Sequence, residues 1–202
     1  MKNKIIIIVV PIIIVIGIVI FLILKFRKSS QTISEELHTF PKKIYKIYIE
    51  NGHTDFNNLP KEIKRIHNSW KKNNPEYDLI YFSLNDCREY LKNNFKDTDF
   101  LQTFYCLIPY AFKCDFIRYC ILYKEGGWYS DWKQECLYYN LLNQLDSEKK
   151  NNIVLFEDKG NKKTDKDESL KDNIQENYIQ NNLIGCIKGN LFLKEVDRKS
   201  TR

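Results

Sequence analysis

Residues 43–94 read KIYKIYIE NGHTDFNNLP KEIKRIHNSW KKNNPEYDLI YFSLNDCREY LKNN, and the fold is decided in this stretch. Lys43 to Ile49 is a β-prone run that stops at Asn51-Gly52, a turn pair. Pro60 then opens a helix in which Ile63, Ile66, His67 and Trp70 recur at i, i+3, i+4 and i+7, one stripe that ends before Asn73-Asn74-Pro75. A second strand runs from Tyr77 to Phe82, and Ser83 with Asp86 three residues on forms a capping box for a helix through Asn94. Strand, helix, strand, helix predicts an α/β sheet.

Downstream, a loosely helical stretch over 97–108 runs into Pro109, and a longer helix from Tyr110 to Glu125 is closed by Gly126-Gly127. A short strand, Trp128 to Asp131, is followed by a helix-like segment near 135–146 and an apolar strand, Ile153 to Phe156. Residues 157–173 are a charged loop without apolar periodicity, and order resumes from Tyr178 to Gly189. At 14% aromatic, with 32 basic against 26 acidic residues, the chain does not have the composition of a disordered tail. The body, about 160 residues, is one domain's worth of core.

The stretch richest in chemistry is Lys113-Cys114-Asp115-Phe116-Ile117-Arg118-Tyr119, then Gly126-Gly127-Trp128-Tyr129-Ser130-Asp131. Asp115 and Arg118 are i, i+3 and share a helix face, which by itself fits a structural ion pair as well as a ligand site. The glycine pair and the strand after it deliver Asp131 to a strand end, where α/β sheets bind ligands. A carboxylate there suits a divalent cation held against a diphosphate, the oxygen chemistry that Mg²⁺ and Mn²⁺ prefer.

With the opening Phe40-Pro41-Lys42-Lys43-Ile44-Tyr45-Lys46-Ile47-Tyr48, with Ser69-Trp70 and Asn74-Pro75-Glu76-Tyr77, and with Asn181-Asn182 and Lys188-Gly189, these pieces resemble the D-x-D-containing sugar-binding region of glycosyltransferase family 32. The resemblance spans roughly residues 40–196. It implies a GT-A-like nucleotide-diphospho-sugar transferase fold and transfer of a sugar from a UDP- or GDP-linked donor to a glycan, lipid or protein hydroxyl, typically with retention. It also implies residue roles. Asp115 and Arg118 hold sugar and ribose hydroxyls, Asp131 reaches ribose and metal, Gly126 and Gly127 let backbone approach the donor, and Tyr129 packs beside it. Asn181 and Asn182 border the acceptor side, where a plain turn before a strand is the competing reading.

One position departs from the family. Lys133 stands where the second Asp of D-x-D is expected, giving Asp131-Trp132-Lys133-Gln134. The lysine leaves two readings: an ammonium that itself neutralises the diphosphate and lessens the need for Mn²⁺ or Mg²⁺, with Lys133 catalytic beside Asp131, or a decayed site that binds without turnover. Glu135 is a weak candidate for a replacement ligand. Relatives of the family carry further elements after the Asn-Asn segment, so the resemblance also predicts a C-terminally truncated domain.

Upstream, residues 5–24 hold only Pro11 and Gly17 besides apolar side chains, which explains how 43% hydrophobic residues coexist with a mean hydropathy of -0.47. Twenty helical residues span about 30 Å, the thickness of a bilayer's hydrocarbon core. The run is followed by Lys25-Phe26-Arg27-Lys28 with no small-residue cleavage site, so an uncleaved single-pass anchor over 1–28 is expected in preference to a signal peptide, then a stem over 29–40 and the transferase domain over 41–202. A Golgi- or ER-type endomembrane is the expected location, its orientation left open by nearly equal basic flanks. Five of the basic residues behind the net charge of +6 (Lys2, Lys4, Lys25, Arg27 and Lys28) flank the apolar run, leaving a nearly neutral body that argues against a nucleic-acid partner. The six cysteines form no C-x-x-C and read as buried thiols, and His38, His53 and His67 lack partners for general-base work.

Overall fold

The structure, a computed structural model, describes residues 18, 20–28, 40–50, 55–147, 152–158, 178–193 and 195. The chain divides into two compact units, 1–39 and 40–202. In the first, the described residues 18 and 20–28 are helical, and most of the apolar run 5–24 lies outside the described residues. Among the described residues no helix is long and apolar enough to cross a membrane. The stem is likewise outside them except for Phe40, which is buried against Trp128 at 5.6 Å between ring centroids and so belongs to the body.

The second unit is built on a five-stranded sheet in the order β2-β1-β3-β5-β4. The strands are β1 (Lys43–Ile47), β2 (Asp78–Phe82), β3 (Gly127–Ser130), β4 (Ile153–Asp158) and β5 (Tyr178–Cys186). β1 is parallel to both β2 and β3, whereas β5 runs antiparallel to β3 and β4. The parallel pairs need crossovers, and helices supply them. α1 (Lys61–Asn73) joins β1 to β2; α2 (Leu84–Asn94), α3 (Phe100–Cys106) and α4 (Tyr110–Glu125) lead from β2 to β3; α5 (Leu141–Ser147) precedes β4.

Strand alternation sorts the core into two clusters. Tyr45, Ile47 and Tyr129 face Leu91, Phe104, Ile117 and Ile121 of α2, α3 and α4. Ile44 and Trp128 turn the other way, toward Trp70 of α1 and Leu142 of α5. Ser83 and Asp86 form the expected reciprocal capping box, a motif worth about 1 kcal/mol. α4 buries eight residues, Lys113, Cys114, Phe116, Ile117, Arg118, Cys120, Ile121 and Leu122, and leaves only a narrow open stripe through Phe112, Asp115, Tyr119 and Tyr123.

The helix expected over 135–146 is present only from Leu141 to Ser147. Side chains of α1 and of the residue after it claim the backbone of the preceding segment. Cys136 N–H donates to Ser69 Oγ (2.9 Å), Asn73 Nδ2 donates to Cys136 O (2.6 Å), and Trp70 Nε1 donates to Gln134 O (2.6 Å). Asn74, itself buried, accepts at Oδ1 from Leu142 N–H (3.0 Å) and so caps α5. The charged loop falls outside the described residues beyond Asp158, and its first two residues, Glu157 and Asp158, are in β4.

Candidate functional site

The parallel strands β1, β2 and β3 finish on the same edge of the sheet, and α4, returning antiparallel to β3, places its first turns beside that edge. Asp115 and Arg118 therefore stand next to the end of β3, the Arg118 guanidinium against the Tyr129 ring. Asp131 is the first residue past β3, and its N–H donates to Asn182 O of β5 at 2.7 Å. Asn181, Asn182, Asp115, Arg118 and Asp131 thus converge on the C-terminal edge of the parallel strands, where open α/β sheets bind ligands.

Asp115 and Arg118 have unequal parts in this arrangement. Arg118 is 4% exposed, and each guanidinium nitrogen is engaged: Nε with Cys114 O (3.2 Å), Nη1 with Asn181 O (2.5 Å), Nη2 with Asp115 Oδ1 (2.7 Å). The guanidinium also stacks 4.3 Å from the centre of the Tyr129 ring. Asp115 is 42% exposed and accepts a second bond from Asn181 Nδ2 at 3.3 Å. Arg118 ties α4 to β5 and orients the carboxylate, and Asp115 is the group a ligand meets.

Tyr129 and the glycines lie deeper than the resemblance implies. Tyr129 is fully buried within the sheet, its hydroxyl without a hydrogen-bond partner. Burial, with the Asp131 and Asp115 carboxylates acting in the same sense and Arg118 against them, holds the phenol protonated well above its ordinary range. Gly126 ends α4 at φ +69°, and a Cβ there would stand 2.5 Å from Lys188 N and 3.0 Å from Pro41 Cδ. Gly127, at φ +95°, would bring a Cβ to 2.9 Å from Lys43 O. These glycines admit the chain's own backbone, so what they serve is the junction of α4 with β1 and the segment after β5.

Lys133 is exposed, with its ammonium 4.9 Å from the Trp132 ring, and Trp132 meets Tyr48 edge to face at 5.0 Å. Glu135 is directed elsewhere: Arg65 grips both of its oxygens, Nη2 to Oε2 at 3.0 Å, so Glu135 is no substitute for the missing Asp. A groove of about 570 Å³ lined by Arg65, Ser69, Lys72, Asn73, Glu135 and Leu137 does not include Asp115, Arg118 or Asp131 among its walls. The convergence of charged groups at the sheet edge is the better marker of chemistry than this groove, where Arg65 and Glu135 are paired with each other and Ser69 and Asn73 are bonded to backbone.

Among the described residues no three His, Cys, Asp or Glu side chains converge as a metal cage. Asp131 fits a divalent cation only as one carboxylate ligand among diphosphate oxygens and water, an arrangement that Mg²⁺ accepts. None of the six cysteines is in a disulfide; Cys106 is exposed and the other five are buried. His67 is buried between Phe56 and Tyr81, and burial, aided by the Lys46 charge, lowers it to about 4, so it stays neutral and walled in.

Sequence reasoning missed Lys46. This β1 lysine is 2% exposed, on the face of the sheet that carries Trp70, and its ammonium lies 5.2 Å from the Trp70 ring. Nζ donates to Ser130 Oγ (3.1 Å), Asp131 O (2.7 Å) and Gln134 O (2.9 Å). Burial pulls the amine down to about 7, opposed by the Asp131 carboxylate and Cys136. The available signal was a lysine amid apolar neighbours in a strand flanked on both faces by helices.

Residues 60–153 match the family described as a glycosyltransferase sugar-binding region containing DXD motif. An uncharacterized glycosyltransferase of Acanthamoeba polyphaga mimivirus is 31% identical over 96 residues, 48% of this chain and 36% of that protein. An initiation-specific alpha-1,6-mannosyltransferase of Candida albicans is 27% identical over 109 residues, 54% of this chain and 28% of that protein. The chain therefore spans about a third of the length of the curated relatives it matches. The solved PaToxG glycosyltransferase shares the fold at a TM-score of 0.52 and 16% identity, covering 86% of this chain and 66% of that one. Over residues 60–153 this chain is thus similar to the glycosyltransferase sugar-binding region containing DXD motif.

Proposed function

We propose that this chain is a glycosyltransferase with a GT-A-like fold that moves a sugar from a UDP- or GDP-linked donor to a hydroxyl of a glycan, lipid or protein. The observation that carries the reading is the convergence of Asp115, held by Arg118 and Asn181, with Asp131 at the end of β3, inside the segment that matches the sugar-binding region. Half-buried carboxylates there accept hydrogen bonds from sugar and ribose hydroxyls, and the bonds at Arg118 prevent Asp115 from collapsing onto another partner. Lys133 supplies a mobile positive charge for the departing diphosphate, where charge develops in transfer. A cation, when bound at Asp131, adds charge neutralisation at the same place. Retention of configuration, and anchoring of an endomembrane enzyme through residues 5–24, are parts of the proposal that rest on the family resemblance and on the apolar run.

Lys133 in place of a second Asp favours a second reading, a tethered protein that holds a nucleotide sugar without turning it over. Calorimetric titration of the full chain with UDP-glucose and GDP-mannose, paired with donor hydrolysis in Mn²⁺ and in EDTA, separates the two. An active transferase binds one donor and hydrolyses it, and Asp131→Asn lowers turnover about a hundredfold, the scale for removing one preorganised electrostatic partner. Binding with no turnover under either condition establishes the second reading.

A further inference from the structure

We propose that Lys46 is a positioning residue for Asp131: its ammonium locks the turn from Ser130 to Gln134 and thereby fixes the direction in which the Asp131 carboxylate leaves the sheet. An ammonium has three N–H donors, and the structure gives it three acceptors, Ser130 Oγ, Asp131 O and Gln134 O. Each acceptor is also tied to something else. Asp131 O accepts from Gln134 N–H at 3.0 Å, Gln134 O from Trp70 Nε1 at 2.6 Å, and Ser130 Oγ bonds Gln134 Oε1 at 3.3 Å. On the opposite side, Asp131 N–H is bonded to Asn182 O.

The two backbone polar groups of Asp131 are thus held by the strands that flank β3, the N–H by β5 and the carbonyl by Lys46 of β1. Only the side chain is left to move. β5 also bonds Arg118 and Asp115 through Asn181, so the same pair of strands sets the separation of the two carboxylates. A buried lysine is an expensive way to fill strand space, since any hydrophobic residue avoids the desolvation cost. Its three directed bonds to one turn account for it.

The inference rests on Asp131 being a donor-binding group, so the test has one arm that depends on this and one that does not. Lys46→Met keeps the aliphatic stem and deletes the donors. In the full chain, hydrogen exchange at the amides of Asp131, Gln134 and Cys136 is expected to accelerate at least tenfold, with the β1–β2 ladder at wild-type rates. Ser130→Ala, which removes one acceptor, accelerates the same amides by less. In the second arm, UDP-glucose and GDP-mannose affinities are measured in a double-mutant cycle. Lys46→Met weakens the bound donor at least tenfold in the wild-type background and less than twofold in Asp131→Asn, because it acts through that residue. The proposal is overturned if exchange rises equally over β1 and β2, or if the effect of Lys46→Met on donor affinity is undiminished in Asp131→Asn. If neither nucleotide sugar binds the wild-type chain, it is the transferase reading that fails, and the exchange arm still decides Lys46. Should Lys46→Met not fold, Ser130→Ala with wild-type exchange in the turn counts against the lock.

Discussion

Tyr129 carries a phenolic oxygen into the interior and gives it no partner, while its ring supports the Arg118 guanidinium at 4.3 Å. The ring and the hydroxyl therefore have opposite consequences. The ring backs the cation that orients Asp115, whereas the hydroxyl bears a desolvation penalty of about 1–3 kcal/mol. Tyr129→Phe is expected to raise the unfolding free energy by about 1 kcal/mol, read from the urea midpoint at constant slope, and to leave nucleotide-sugar affinity within twofold. A larger loss of affinity would mean that the phenol touches the donor, contrary to its burial. The same reasoning separates Asp115 from Arg118. Both are named by the family pattern, but only the carboxylate is presented to solvent, and the arginine spends its hydrogen bonds on Cys114, Asn181 and Asp115.

At the level of elements, the joint between α4 and β3 shows why the Gly-Gly pair is needed. Gly126 combines a left-handed φ with a space already filled by Lys188 N, so an added methyl meets both backbone strain and a clash with main chain that cannot rotate away. Gly126→Ala is expected to destabilise the protein by about 2 kcal/mol or more, seen as a lower thermal midpoint, through loosening of β3 against β1 and the segment after β5. This joint was legible in the sequence because glycine at a helix end has a local cause, and so was the Ser83 capping box. The segment from Asp131 to Asn140 was not. Its residues carry enough helix-compatible periodicity to suggest 135–146, but Ser69, Trp70 and Asn73 take its backbone groups from a helix more than sixty residues earlier. Nothing local records such bonds. Lys46 was hidden for a related reason: lysine in a strand ordinarily marks a solvent-facing position, and only the closing of Ser130 to Gln134 around it gives a buried ammonium three acceptors.

For the whole molecule, the parallel half of the sheet, β2-β1-β3, presents the site, and the antiparallel pair β5-β4 braces it from one side. α1, the crossover from β1 to β2, brings a buried imidazole into the balance of global stability. His67, 8% exposed and packed on Phe56 at 4.6 Å between ring centroids, is lowered to about 4 first by burial and second by the Lys46 charge. In the unfolded chain it returns to about 6.5. Between these values the unfolded state binds the proton and the folded state does not, so stability is full above pH 6.5 and is lost as pH falls toward the folded value. Lys46, lowered to about 7, takes up its proton mostly above this window, and the carboxylates lowered by ion pairing, Glu62 and Glu76, are lost as pH falls through their unfolded value of about 4.5, at the window's lower end, leaving His67 to dominate the slope between. The unfolding free energy should therefore fall by about 2 kcal/mol between pH 6.5 and 4.5. Denaturant titrations at half-unit steps measure it. In His67→Phe, which keeps an aromatic against Phe56 and Tyr81, the same interval should be flat, and a slope that persists in the variant would assign the acid sensitivity to another group.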